Sequence, residues 1–353
     1  MVILFRCDSS LLIGSGHLMR CLNLAELLKE AGHQIQFACR ALQGNLINLA
    51  EEKQFLTHVL PFIEDHSFQP KDLYQKWLQV SLESEIAAFI DVQEIVKPDW
   101  VIVDHYSLGF KWEKAVASKG TKILAIDDLF RKHYCDAFID HNYHDCHTDK
   151  IKVPSTSVNF LGPEYALLNQ RFLKMCPSKT YPKTLKKVLV FFGGTDPEGI
   201  TSQFLENISK IDSPSLTYEV VIGKNNPRLK EIQSVCSVNT NLNLHIQIDN
   251  MNELLNQCQL YIGSGGTITW ERCYLGIPGI CLAIAENQTE LSQSLHESNI
   301  HTFLGHFENL NIDKLFIQIN ELINDHKKLQ SFHESSLNLN VSSKLSKIQS
   351  FFN

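Results

Sequence analysis

The stretch Gln259-Leu-Tyr-Ile-Gly-Ser-Gly-Gly-Thr-Ile-Thr-Trp-Glu271, continuing to Gly276-Ile-Pro-Gly279, constrains the fold more than any other part of the chain. Leu260 to Ile262 is a short apolar run and reads as a buried strand. Gly263-Ser-Gly-Gly266 breaks it. Thr267 is then placed to cap a helix through Tyr274, which Gly276 and Pro278 end. A strand, a glycine turn and a helix N-terminus leave backbone N–H groups pointing outward, with the helix dipole adding positive potential. Such a place holds a diphosphate without any lysine. Glu271 stands four residues beyond Thr267, on the same helix face. A carboxylate there can accept from both hydroxyls of a ribose. The pattern also fits an ordinary strand–helix turn, with Glu271 a solvated helix residue.

The rest of the chain repeats this alternation. Strands are expected at Val2–Phe5, Gln34–Cys39, His58–Leu60, Trp100–Asp104, Lys122–Asp127, Ala137–Asp140 and Val158–Leu161. Helical spacing runs from His17 to Ala31, around Leu46 to Glu52, through Pro70 to Val96 and from Tyr165 to Met175. Cys176 to Pro182, with two prolines in seven residues, is the best linker. A second series begins at Lys187–Phe192. It continues with strands near Tyr218–Ile222, Leu242–Ile248, Leu260–Ile262 and Gly279–Ile284, before a helical tail from Asp313 to Phe352. The length of 353 residues fits two domains. The expected bounds are 1–175, a linker at 176–186, a second domain at 187–335, and a terminal helix at 336–353 packing back on the first domain. Two doubly wound α/β domains facing a cleft is the simplest architecture.

Composition narrows the function. A net charge of −7 argues against general affinity for nucleic acid or anionic membranes, so an anionic ligand must be held locally. Ten cysteines without a C-x-x-C pair fit reduced thiols, and the N-terminus lacks the pattern of a signal peptide. No stretch approaches the length of a membrane span. We therefore expect a cytoplasmic monomer, with no membrane insertion and no nucleic-acid partner.

The candidate chemistry sits at strand ends. Gly14 and Gly16 let the loop after the first strand turn tightly and present His17 at a helix start. A histidine beside a positive helix end suits a general base, although it also serves as a plain capping residue. Arg20 faces either the cleft or a neighbouring carboxylate. Asp104-His-Tyr106 and Asp127-Asp128 end adjacent strands and either line a sugar site or cap helices, the capping role being preferred for Asp128. Gly193-Gly-Thr-Asp196 is a second glycine turn. His133, Cys135, His141, His144, Cys146 and His147 crowd one loop, but their spacing matches no usual paired-ligand pattern. No D-x-D triplet exists to clamp a nucleotide-bound divalent ion. No metal and no cofactor are expected.

Taken together, Arg6-Cys-Asp-Ser-Ser, Ile13 to Arg20, Asp104-His-Tyr106, Asp127-Asp128, Gly193 to Asp196 and Gly263 to Glu271 form an ordered set. By that set the chain resembles the UDP-sugar hydrolases of pseudaminic acid biosynthesis, a GT-B-like nucleotide-sugar hydrolase family. The second half also resembles the UDP-binding half of the peptidoglycan UDP-GlcNAc transferase. The resemblance implies two Rossmann-like domains and a UDP-linked 2,4-diacetamido-2,4,6-trideoxy sugar as substrate. It implies that His17 activates water for attack at C1 with inversion, releasing UDP and free sugar. Ser264, Gly265, Gly266 and Thr267 match the diphosphate loop, Glu271 the ribose-binding glutamate, and Met251 the segment whose backbone reads uracil. Asn287 and Gln288 match a pair near the sugar. Gly14, Gly16, Asp104, Tyr106, Gly194 and Thr195 are the further expected substrate contacts. The rival readings are an inverting GT-B glycosyltransferase with an organic acceptor and an inactive nucleotide-sugar binding module. A base at His17 argues against mere binding.

Overall fold

The computed structural model describes residues 1–62, 69, 70, 72, 74–143 and 150–353. They form two compact units. The first is Met1–Gln170 with Ser343–Asn353, and the second is Arg171–Ser342.

In the first unit every strand pairing is parallel. The strands are β1 (Val2–Cys7), β2 (Gln34–Arg40), β3 (Leu56–Leu60), β4 (Trp100–Asp104), β5 (Lys122–Ile126), β6 (Ala137–Asp140) and β7 (Val158–Leu161). Their order is β3-β2-β1-β4-β5-β6-β7, so the winding reverses between β1 and β4. Parallel strands are covered on both faces, which is why Val2–Phe5 of β1 and 100–103 of β4 read as apolar runs. One core layer joins Leu4, Val101, Val103, Ile123 and Ala125 to Phe89 and Trp112. The helices are α1 (Gly16–Glu30), α2 (Asn48–Glu52), α3 (Gln75–Leu78), α4 (Leu82–Val96) and α5 (Phe110–Ala117).

The segment expected to be helical from Pro70 to Val96 is two helices. Gln79 takes a left-handed conformation (φ 58°) and ends α3, while the Ser81 side chain accepts from the Ser84 N–H and starts α4. The first turn of α4 carries Glu85, which is buried between Arg6 and Arg40. An ion pair therefore anchors this helix end to the sheet.

The helix expected over Tyr165–Met175 is reduced to its last part. A 3₁₀ turn at Pro163–Tyr165 is followed by a non-helical run and the short α6 (Gln170–Leu173). Ala166, Leu167 and Leu168 are buried there without helical geometry, so their apolar side chains imitated a helix face. The unit boundary falls at this point, ahead of the proline-rich segment; Tyr181 within that segment is buried, with its hydroxyl donating to the Gln259 carbonyl.

The second unit is also wholly parallel: β8 (Lys187–Phe191), β9 (Thr217–Ile222), β10 (Leu242–Ile246), β11 (Leu260–Ser264), β12 (Gly279–Ala283) and β13 (Thr302–His306). The order is β10-β9-β8-β11-β12-β13, reversing between β8 and β11. The helices are α7 (Ile200–Glu206), α8 (Leu229–Val238), α9 (Met251–Asn256), α10 (Ile268–Tyr274), α11 (Thr289–Glu297), α12 (Ile312–Asn324) and α13 (His326–Asn338). A last helix, α14 (Leu345–Phe351), belongs to the first unit, where Phe351 and Phe352 pack on Trp100. Among the described residues no helix is long and apolar enough to cross a membrane.

Candidate active site

Open α/β sheets bind ligands beyond the carboxyl ends of their strands, where the winding reverses. In each unit that place holds expected site residues.

In the first unit the loop after β1 is built by its own polar groups. The Ser10 hydroxyl accepts from the Leu12 and Ile13 N–H groups, and Gly14 donates to the Ser10 carbonyl with φ +79°. Only glycine takes that φ without strain. Gly16 is the first residue of α1 and His17 the second. Cys7, the last residue of β1, pairs in register with Asp104, the last of β4. The register thus sets the Asp104 carboxylate beside the first turn of α1.

That carboxylate is 0% exposed. Oδ1 lies 2.5 Å from His17 Nδ1, and Arg20 donates to Oδ2 at 2.5 Å and to Oδ1 at 2.7 Å. Burial raises the Asp104 pKa, but Arg20 and then His17 outweigh it and hold the carboxyl well below the usual carboxylate range. Both oxygens are thus occupied by His17 and Arg20. Tyr106, also buried, stands edge-on to His17 at 4.5 Å and donates its hydroxyl to Asp128 at 2.5 Å. Its ring is a wall of the histidine pocket. Trp77 from α3 stacks on Tyr106 at 5.2 Å and meets the His17 ring at 5.6 Å. Asp128 caps no helix; it receives Tyr106 and Asn142 and lies 3.8 Å from Arg20. His17 itself is 7% exposed, and its Nε2 has no partner among the described residues.

In the second unit the glycines of the turn are enforced by packing. A Cβ on Gly263 would sit 2.0 Å from the Phe191 carbonyl oxygen, and one on Gly265 would sit 2.3 Å from Ser292 Oγ. One on Gly266 would lie 3.5 Å from Gln288 Nε2, so Gln288 lines the same turn. The Gln288 side-chain Oε1 accepts from the Ile284 N–H, and Asn287 belongs to the same 3₁₀ turn, Glu286–Gln288. Thr267 occupies the position before α10, but its φ and ψ are helical and its side chain makes no cap hydrogen bond, contrary to expectation. α10 has seven residues, which limits its dipole. Glu271 is half-buried, and burial pushes its carboxyl up to about 8. No hydrogen bond or ion pair reaches that carboxyl among the described residues.

Gly193, Gly194 and Thr195 follow β8, beside the turn after β11. The Gly194 carbonyl accepts from Gly223, whose own Cβ would meet it at 2.7 Å. Asp196 caps α7 by accepting from the Ile200 and Thr201 N–H groups. Met251 opens α9, and Arg171 ties the loop before it through the Asp249 carbonyl.

Of the cysteine–histidine loop, His133 lies among the described residues and is held by carboxylates. His133 is bound by Glu113 at 2.6 Å and lies 3.7 Å from Asp127. Burial opposes its charge, but Asp127 and Glu113 prevail and raise its pKa to about 9. His144, Cys146 and His147 lie outside the described residues, and among the described residues no cluster of three or more such side chains can hold a metal ion.

Two parallel sheets, each reversing at its own carboxyl-end site, define the fold of the GT-B glycosyltransferases, and solved members superpose over the whole chain. A spinosyn rhamnosyltransferase aligns with a TM-score of 0.67 at 13% identity over 100% of both chains, and MurG of Acinetobacter baumannii with 0.65 at 11% identity over 99% and 98%. No family model matches the chain. In sequence it is similar to the UDP-2,4-diacetamido-2,4,6-trideoxy-beta-L-altropyranose hydrolase of Campylobacter jejuni, 27% identical over 290 residues that cover 82% of this chain and 93% of that protein. The resemblance seen in the motifs thus holds along most of the chain.

The Asp104–Arg20–His17 assembly was not legible from the motifs. Its one local signal is the i, i+3 spacing of His17 and Arg20, which places both on one helix face. Their partner lies 84 and 87 residues away and is supplied by strand register. Trp77 gave no signal at all.

Proposed function

We propose that the protein is a nucleotide-sugar hydrolase that releases UDP from a UDP-linked 2,4-diacetamido-2,4,6-trideoxy sugar in pseudaminic acid biosynthesis, with no metal ion. The observation that carries this is His17: one ring nitrogen is tied to a buried carboxylate and the other is unoccupied at the carboxyl end of the sheet. That is the arrangement a general base needs. His17 Nε2 takes a proton from water, the water oxygen bonds to C1, and the C1–O electron pair leaves with the β-phosphate of UDP. Attack opposite the leaving group inverts C1. UDP is assigned to the second unit. There the turn from Ser264 to Thr267 receives the diphosphate, Glu271 the ribose hydroxyls and the backbone at Met251 the uracil. Asn287, Gln288, Gly194 and Thr195 are assigned to the sugar end. The half-buried, unpartnered carboxyl of Glu271 supports this, because two hydroxyl donors would satisfy it.

The relatives in fold are glycosyltransferases, which favours a second reading in which an organic acceptor replaces water. Incubation of the purified protein with the UDP-sugar in buffer alone separates the two. The hydrolase releases stoichiometric UDP and free sugar. A transferase leaves the donor nearly intact until an acceptor is added, and that result would overturn the proposal.

A further inference from the structure

Asp104 is a buried anion whose two oxygens serve two different masters. Arg20 takes both through Nε and Nη2, a planar two-pronged pairing that fixes the carboxylate in place. Oδ1 also faces His17 Nδ1 at 2.5 Å. An ionised carboxylate can only accept hydrogen bonds. The proton between them therefore belongs to His17 Nδ1. Arg20 Nη2 lies 3.2 Å from that same nitrogen. Guanidinium has no acceptor, so with Nδ1 protonated this contact is two donors converging on Oδ1, not a bond between them. A neutral imidazole with its proton on Nδ1 has its lone pair on Nε2. Tyr106 and Trp77, edge-on to the ring at 4.5 and 5.6 Å, oppose its rotation.

We infer that Asp104, clamped by Arg20, is the positioning residue that locks His17 in the Nδ1–H tautomer and so makes Nε2 the proton acceptor. The catalytic consequence rests on the hydrolase reading. When Nε2 takes the proton of water, the imidazolium stays beside a carboxylate that Arg20 keeps ionised, and the proton is not passed on to Asp104.

The tautomer is read directly from two-bond ¹H–¹⁵N correlation spectra of histidine-labelled protein, recorded above the ring's titration. The fifteen histidines are sorted by comparison with His17→Gln. The expected His17 pattern has a protonated Nδ1 and a pyridine-like Nε2. In Asp104→Asn the side-chain amide offers Nδ1 a donor. The pattern should then reverse, with kcat falling on the order of a hundredfold, no further than in His17→Ala, and KM little changed. Arg20→Lys, which keeps the charge but loses the fork, should give a mixture of tautomers and an intermediate kcat. A wild-type His17 protonated on Nε2 would overturn the inference even if neither variant folds. So would Asp104→Asn with the tautomer and kcat of the wild type. The spectrum needs no substrate, so failure of this inference is separable from failure of the hydrolase reading, which would show as no UDP release by the wild type.

Discussion

Glu271→Gln should stabilise the fold and weaken UDP binding at the same time. Burial raises this carboxyl from 4.5 to about 8, and no partner offsets it. In the unfolded chain it ionises near its ordinary value. The folded pKa therefore lies above the unfolded one, and folding favours the protonated acid. The stability that this proton contributes is fully present below pH 4.5 and is lost as pH rises through about 8. At about 1.4 kcal/mol per tenfold change, the complete loss has a ceiling of about 5 kcal/mol. The side chain is only half-buried, and screening lowers the expected value to about 2–3 kcal/mol. Glutamine has the same shape and no charge to desolvate. At pH 9 the variant should melt roughly 4–12 °C higher than the wild type in the second unit's transition, and near pH 4.5 the gap should vanish. At pH 9, where the carboxyl is ionised, UDP should bind more weakly by about 1.5–3 kcal/mol for a lost charged contact. Scanning calorimetry at both pH values and titration with UDP measure the two effects. A melting difference independent of pH, or unchanged UDP affinity, would make Glu271 an ordinary solvated helix residue.

His17→Ala should lower kcat on the order of a hundredfold or more while UDP affinity stays near that of the wild type; steady-state rates near normal would remove His17 from the mechanism. Activity should survive EDTA, because backbone N–H groups are the assigned diphosphate holders; loss on chelation with recovery in magnesium or zinc would redirect attention to Asp127, Glu113 and His133. Gly263→Ala should destabilise the second unit by about 1–3 kcal/mol or more, since the new Cβ meets the backbone of β8 at 2.0 Å rather than a side chain that can move; a urea midpoint equal to that of the wild type would refute this.

How much of this was legible in the sequence follows from where each element draws its stability. The bounds expected for Trp100–Asp104, Ala137–Asp140 and Val158–Leu161 are those observed. In β4 and β6, burial on both faces demands continuous apolar residues, and a buried acid closes each run at its carboxyl end. β13 escaped notice because Thr302-Phe-Leu-Gly-His306 contains only two apolar residues in a row and a glycine at φ +93°. The early start expected for the helix over Tyr165–Met175 has the converse cause, apolar residues buried by tertiary packing in an irregular connection. The glycines at the end of β11 and in the turn after it were readable because a strand–glycine–helix pattern is contiguous in sequence, although the clearances that require Gly263 and Gly265 come from Phe191 and Ser292, far along the chain. The role of Asp104 was not, since it depends on β1–β4 register and on Arg20 being drawn to the same carboxylate. Long-range ion pairs leave no spacing pattern in a sequence.

In the proposed reaction water, activated by His17, attacks the sugar carbon rather than phosphorus. Cleavage between the phosphates would ordinarily use a carboxylate-bound metal to neutralise them. A single turnover in oxygen-18 water, with the products resolved by mass spectrometry, tests this directly. Label should appear in the C1 hydroxyl of the free sugar and not in UDP. Label in the β-phosphate of UDP, or release of UMP with a sugar phosphate, would contradict attack at carbon.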